Sequence, residues 1–452
     1  MTTMLNELKQ FPQLEYRGQG YKGKDLAFRH YNPQQVVMGK PMVEWLKPGL
    51  PFWHMVKWAG TDMFGGPTMN RSTAPGAYLE GAHEESEFMF ALTEKMSIPY
   101  LAAHIPNDVV PYKPGDIATT QPMVDAIVHT WEDLMKSSPT RFLWLTANNF
   151  SDPHFMNGAG TTNNADVYAH AAANNKMVVD AAIKVGAGGI VFWDGRGGMH
   201  NTPGKDVYRE LRNGSYLRQL VIQYAIANGF EGWFAVEPKG FEPMTALQYD
   251  SCVMSTLGHI AMSGMPPEIA ARILINSEEN HASLSGKLWW VEVMLARIFG
   301  KLGSLDVNGG ALPKSVNFDI DRFPYDQRGL ALVMYQVILN GGLPGGCLFD
   351  AKPSREDYTM RGLLGNIRVG LDTLAYGLKA AEIMHQDGRI QKFIDEHYNT
   401  FETTRLGHLI SAQKITLEEL AAHALHTPAP LPGEGQELEL NDIVNQCLEM
   451  VE

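Results

Sequence analysis

The sequence predicts an α/β protein, a TIM (β/α)8 barrel with a C-terminal helical extension. Three observations predict it. Eight short apolar runs recur at a spacing of roughly 30–47 residues, as strand–helix units with generous loops do. Segments with helical periodicity lie between them. Acidic residues close the later runs. A doubly wound open sheet would satisfy the first two observations. The third favours a barrel, which gathers all its strand ends around one mouth.

Residues 1–48 are polar and mixed and read as an N-terminal arm, extended over 19–39 where Pro33 and several glycines fall. The barrel is expected over 49–375. Its strands are expected at 51–58, 98–104, 142–146, 189–193, 231–237, 272–278, 302–306 and 345–350. Their hydrophobicity is continuous, which suits parallel strands buried on both faces. Residues 163–185 are alanine-rich and 207–228 amphipathic, and both are expected to be helices. Gly186-Ala187-Gly188-Gly189 echoes a dinucleotide fingerprint but precedes a strand, so it is rejected as one. Beyond 375 the pattern is helical only. Thr416-Leu417-Glu418-Glu419 is a capping box, Pro428, Pro430 and Pro432 break the chain, and a last helix is expected over 438–450. This 376–452 arm has too few apolar residues to fold alone. It is expected to pack on another subunit, the alternative being a tail folded back on its own barrel.

The 452 residues carry 37 basic and 50 acidic side chains, a formal charge of −13. That balance disfavours nucleic acid and anionic membranes as partners. Cys252, Cys347 and Cys447 are odd in number and far apart, so neither a disulfide framework nor a zinc–cysteine site is implied and a reducing cytoplasm fits. No secretory signal and no membrane-spanning run is read, so a soluble protein is expected.

The carboxylates carry the chemistry. Predicted strands five to eight end at Glu237, Glu278, Asp306 and Asp350. Four acids converging in one apolar mouth repel, and burying each unpaired costs several kcal/mol, so they call for cations. Glu278-Glu279-Asn280-His281 adds an imidazole three residues past a strand end, and Asp319-Ile320-Asp321 adds two carboxylates on one loop. Six carboxylates and one histidine suffice for two adjacent divalent ions sharing one acid. Oxygen-rich ligation favours Mg²⁺ or Mn²⁺, and the imidazole admits Co²⁺.

At this point the residues resemble those of the xylose isomerases. Phe28-Arg29-His30-Tyr31-Asn32-Pro33 is similar to the family's N-terminal arm. Phe52-Trp53-His54, followed by Trp58-Ala59-Gly60-Thr61-Asp62-Met63-Phe64-Gly65-Gly66, is similar to its first strand and loop. Leu143-Trp144-Leu145-Thr146-Ala147-Asn148, Glu237-Pro238-Lys239, Glu278 with Asn280 and His281, Gly303-Ser304-Leu305-Asp306-Val307-Asn308 and Phe349-Asp350-Ala351-Lys352 follow in the family's order. The likeness covers about residues 26–452. It implies a metal-dependent aldose–ketose isomerase working by hydride shift on an open-chain sugar, with D-xylose as the default substrate. Glu237, Glu278, Asp306 and Asp350 would hold one ion, and Glu278, His281, Asp319 and Asp321 the other. Lys239 would polarise the sugar's O1. Trp58 and Trp193 would wall the site, with Trp144 and Thr146 on the third strand also meeting substrate. Phe64 would reach a neighbouring subunit's site, in a homo-oligomer of tetramer size.

The chain departs from the family chiefly at its second and fourth strand ends, and Pro353-Ser354-Arg355 after the eighth carries one arginine fewer than the family has. Where the family has Phe-His-Asp-x-Asp on its second strand, this chain has Ala103-His104-Ile105-Pro106-Asn107-Asp108. His104 would open the sugar ring, with either Asn107 or Asp108 as its orienting partner, Asp108 being the catalytic choice. The fourth strand ends Trp193-Asp194-Gly195-Arg196-Gly197-Gly198, with an acid lost at 197 and one gained at 194, and Leu145 stands where the family has a glycine beside the pocket. The readings carried forward are a xylose isomerase, an isomerase or epimerase of another or modified sugar on the same two ions, and a non-catalytic sugar- or partner-binding barrel. Asp306→Asn is expected to abolish turnover in an activity assay, and unchanged activity would remove this site from consideration.

Overall fold

The computed structural model describes residues 4–452 apart from 62–64, 69–77, 112–114, 201–202, 242–246, 311–318, 354 and 431–435. Eight parallel strands close into a barrel in chain order. They are β1 Pro48–Pro51, β2 Tyr100–Ile105, β3 Arg141–Ala147, β4 Gly189–Phe192, β5 Trp233–Val236, β6 Ile273–Glu278, β7 Leu302–Asp306 and β8 Cys347–Leu348. Each is followed by a packed helix: α1 Tyr78–Lys95, α2 Ile117–Ser137, α3 Ala165–Val185, α4 Val207–Ala227, α5 Val253–Met262, α6 Trp289–Ile298, α7 Gln327–Leu339 and α8 Met360–Asp387. Polar caps start several of these helices where the sequence places Asp, Asn or Thr. Asp116, Asn164, Asp206, Asp326 and Thr359 each accept a hydrogen bond from a first-turn N–H of α2, α3, α4, α7 and α8. Gly186, from the rejected glycine run, ends α3 in the left-handed region at φ 59°.

Seven strands fall in or beside their expected ranges. The first does not. The expected 51–58 run is strand only at its first residue, because the chain turns at Trp53–Lys57 into a single π-helical turn. The strand lies earlier, over Pro48–Pro51, where two prolines and a glycine argue against it by propensity. Tertiary pairing overrides propensity here. Lys47 and Gly49 offer their carbonyls to the N–H groups of Cys347 and Phe349, so the missing proline N–H leaves that ladder intact. Space at Gly49 is tight: a Cβ there would stand 3.0 Å from Leu348 Cδ1 and 3.3 Å from Leu143 Cδ2, so one of the leucines would have to give.

The main core lies between strands and helices. A second cluster of Ala102, Leu143, Trp144, Val191 and Leu348, with Trp53 and Trp233 against it, fills the barrel interior. Leu145 belongs to the main core, because it alternates with the inward-facing Trp144 and Thr146. It therefore stands away from the pocket, contrary to the sequence expectation.

The expected barrel limit at 375 falls inside α8, which runs unbroken through a fully buried Ala375. The predicted capping box is present, with Thr416 Oγ1 accepting from Glu419 N and Glu419 Oε2 accepting from Thr416 N. The helices Arg389–His397, Asn399–Thr403 and Leu417–His426 bury no residue. The last helix, Glu437–Glu449, folds back on α8, where Tyr376 Oη donates to Leu448 O. At the other end of the chain, the Asp372 carboxylate on α8 accepts from the N–H groups of Arg29, His30 and Tyr31 and pairs with Arg368. Asp372→Ala strands three backbone donors, and is expected to cost on the order of 3 kcal/mol, read as a lowered thermal midpoint.

Candidate metal centre and active site

Sheet register assembles the site. In β6 and β7, Glu278 pairs directly with Asp306, and paired residues of parallel neighbours point the same way about 4.8 Å apart. Glu237 follows β5 and extends its ladder by donating its N–H to Phe192 O. Asp350 follows β8, and His281 lies on the first turn after β6. All of these but Glu278, which is buried beside them, line a cavity of about 150 Å³ at the carboxyl end of the barrel, smaller than the pockets that take drug-sized ligands. Its lining includes Glu237, Lys239, His281, Asp306, Asp319, Asp321 and Asp350 together with Trp53, Trp144, Phe150 and Trp193.

Three trios in this cluster have ligand atoms within 4.8 Å of one another: Glu278–Asp306–Asp350, Glu278–Asp319–Asp321 and Glu237–Glu278–His281. Glu278 belongs to all three. Both Asp306 oxygens are buried and take no hydrogen bond among the described residues, and Glu278 Oε2, likewise without one, lies 3.1 Å from His281 Nδ1 without aligned hydrogen-bond geometry. Orphaned buried acceptors of this kind are what a cation would satisfy, so the donor set fits divalent ions. Glu278 Oε1 accepts from Asn308 Nδ2 at 2.7 Å, and Asn276 Nδ2 donates to Glu237 Oε2 at 3.1 Å.

The acids divide into two electrostatic groups. Burial and the neighbouring Asp350 push Glu237 up to about 8. Burial, reinforced by the other acids, holds Glu278 and Asp306 well above the usual carboxylate range. Asp321 and Asp350 move the other way. Burial would raise them as well, but Lys352 and His54 outweigh it at Asp321, as do His54 and the Trp53 indole at Asp350. His281 is lowered by burial and by Lys239, which keeps its imidazole neutral and able to ligate.

The remaining expected residues are placed as follows. Lys239 pairs with Asp319, and its Nζ lies 5.0 Å from the centre of the Trp193 ring. Trp193 packs edge-on to Phe150 at 4.3 Å. Trp144 lies on the cavity floor, and Thr146 donates its hydroxyl to Val191 O. His104 lines the cavity, and one oxygen of Asp108, Oδ2, lies 3.1 Å from its Nδ1 and 2.9 Å from its backbone N–H. Between the two candidate partners, the chain path thus selects Asp108. Trp58 stands outside the lining, its indole donating to Thr61 O and its ring edge-on to Tyr358. Phe64 lies outside the described residues. Sequence reasoning missed Trp53, His54 and Phe150 as lining residues. The first two were within the quoted Phe52-Trp53-His54 run, but a strand drawn through them moved the barrel mouth to Trp58.

No family model matches the chain. It is similar to a xylose isomerase of Bacillus velezensis, 35% identical over 433 residues and 95% of each chain. It is also similar to one of Thermotoga neapolitana, 35% identical over 444 residues and 97% of each. A third, of Thermoanaerobacter pseudethanolicus, is 36% identical over 446 residues, 97% of this chain and 98% of its own. Among solved structures, an L-ribulose 3-epimerase matches with a TM-score of 0.46 at 14% identity, over 67% of this chain and 91% of that one.

Adding Mn²⁺ to chelator-stripped protein is expected to raise the thermal midpoint, by about 2.7 kcal/mol of stabilisation at one hundred times the dissociation constant. Glu278→Gln, which alters all three trios, is expected to abolish the rise. A midpoint indifferent to Mn²⁺, Mg²⁺ and Co²⁺ would rule out a metal centre.

Proposed function

The chain belongs to the xylose isomerase family, and on that premise we propose that it interconverts D-xylose and D-xylulose by hydride shift on the open-chain sugar. It is an isomerase of sugars. The observation that carries the substrate-level reading is the convergence of the three Glu278 trios with Lys239 in one small, aromatic-walled cavity.

The chain's own residues have definable tasks. His104, oriented by Asp108, is placed to move a proton at the ring oxygen, which opens the cyclic sugar. Trp53, Trp144, Phe150 and Trp193 exclude water and confine the extended carbon chain. Lys239 offers a cation to O1 of the sugar. In the conversion, hydrogen leaves C2 with its bonding electrons and joins C1. O2 loses its proton and becomes the ketone, and O1 gains a proton. Glu237, Glu278, Asp306 and Asp350 would hold one divalent ion, and Glu278, His281, Asp319 and Asp321 the other, both drawn from Mg²⁺, Mn²⁺ and Co²⁺. When bound, the pair supplies Lewis-acid stabilisation of charge developing on the two sugar oxygens.

A second reading, isomerase or epimerase of another or modified sugar on the same ions, is favoured by Asp194. This departure from the family pattern lies directly behind Trp193, accepting from Thr161 Oγ1 and lining a small cavity there. The unburied helices of the C-terminal arm support a homo-oligomer of tetramer size, whose subunits would cover them. The three cysteines are free, in keeping with a cytoplasmic location.

The test is a ketose assay. Stripped protein restored separately with Mg²⁺, Mn²⁺ or Co²⁺ is given D-xylose, D-glucose and a small aldose panel. Metal-dependent xylulose from xylose is the expected result, with His104→Gln lowering kcat about 10²-fold or more. Bound metal with no ketose from xylose would overturn the xylose reading and leave the second one.

A further inference from the structure

Trp53 and His54 are consecutive residues on the π-helical turn after β1, and both side chains approach one atom. Trp53 Nε1 donates to Asp350 Oδ1 at 2.7 Å. His54 Nε2 lies 2.8 Å from the same oxygen and 3.5 Å from Asp321 Oδ2, an ion-pair approach without aligned hydrogen-bond geometry. Asp350 and Asp321 belong to different trios, Glu278–Asp306–Asp350 and Glu278–Asp319–Asp321. Glu278 joins the two trios from β6, and His54 therefore joins them a second time from an element at the end of β1. His54 is buried, at 8% exposure.

The opposite side of Trp53 is fixed as well. Its indole stacks on His104 with ring centroids 3.9 Å apart and planes 22° apart, and packs against Trp144 at 5.7 Å. An indole held between the floor, an imidazole and a carboxylate has little freedom to turn. Its N–H is therefore a fixed direction for the Asp350 carboxylate. Removing a group that orients a ligating carboxylate typically costs about 10–100-fold in metal affinity.

We propose that Trp53 and His54 are positioning residues for the metal centre: Trp53 orients Asp350, and His54 sets Asp350 against Asp321 so that the two ion sites keep one spacing. The inference rests on the two-ion reading given above, and it assigns neither residue a contact with a bound ion.

Its test reads metal binding without any sugar. Wild type, Trp53→Phe and His54→Gln are stripped and titrated with Co²⁺, followed by calorimetry and by the visible d–d absorption of the bound ion. Two bound ions are expected in wild type. Trp53→Phe keeps the ring and loses the N–H, and is expected to weaken one site about 10–100-fold while the other stays within about threefold. His54→Gln is expected to weaken both sites and to alter both absorption bands. Wild-type affinities and spectra in both variants would overturn the inference and leave the two-ion reading standing. A wild type that binds no Co²⁺ would overturn the two-ion reading and the inference with it. Thermal midpoints of the three metal-free proteins show whether each variant folds, and where one does not, wild-type affinities and spectra in the other overturn the inference.

Discussion

Glu278 sits beside Asp306 because β6 and β7 pair in that register, and Asp350, which follows the next strand, brings a third carboxyl group to the same mouth. Around these three the rest of the mouth is arranged. Lys239 and Lys352 each take one carboxylate, Asp319 and Asp321, and Asn308 and Asn276 steady two others. Both Asp306 oxygens remain without a hydrogen bond among the described residues. A buried arrangement of this kind is costly for the folded chain alone. The strain is concentrated where a cation relieves it.

The division of the acids follows from their neighbours more than from their depth. Glu278, Asp306 and Asp321 are buried and Asp350 is half-buried, yet Asp321 and Asp350 face Lys352, His54 and the Trp53 indole, whereas Glu278 and Asp306 face mainly other carboxylates. The mouth therefore has one edge whose carboxyl groups are held below their usual range and another whose carboxyl groups are held above it. The first edge is the one built by β1, the strand closing the barrel against β8.

The convergence of the acids is legible in the sequence because a barrel turns strand ends into a shared location. Once Glu237, Glu278, Asp306 and Asp350 each end a run, their meeting needs no further information. The capped helix of the arm is equally legible, because the box that opens at Thr416 marks its start. The first strand is not. Its residues, Pro48 to Pro51, form a strand only because Leu348, Leu101 and Ala102 stand ready to pair with them, and no local propensity reports that. The error passes to the site, since moving the strand end from Pro51 to Trp58 hides Trp53 and His54. Asn107 and Asp108 could not be separated by type alone, because the path of the backbone past His104 decides which one reaches the imidazole.

The Asp372 clamp joins residues 29–31 to a helix more than 300 positions later in the chain, the backbone N–H of Tyr31 being 341 residues from its acceptor. The pairing of β1 with β8, Gly49 with Leu348, spans a comparable length. Contacts of this separation come late, because a long loop must close before they form. During synthesis the N-terminal arm and β1 emerge first, yet their partners are among the last barrel residues made. Until β8 has emerged, the growing chain carries an open sheet with β1 at an unpaired edge, the condition in which chains are most exposed to misassembly. The arm thus waits through most of translation for the helix that fixes it.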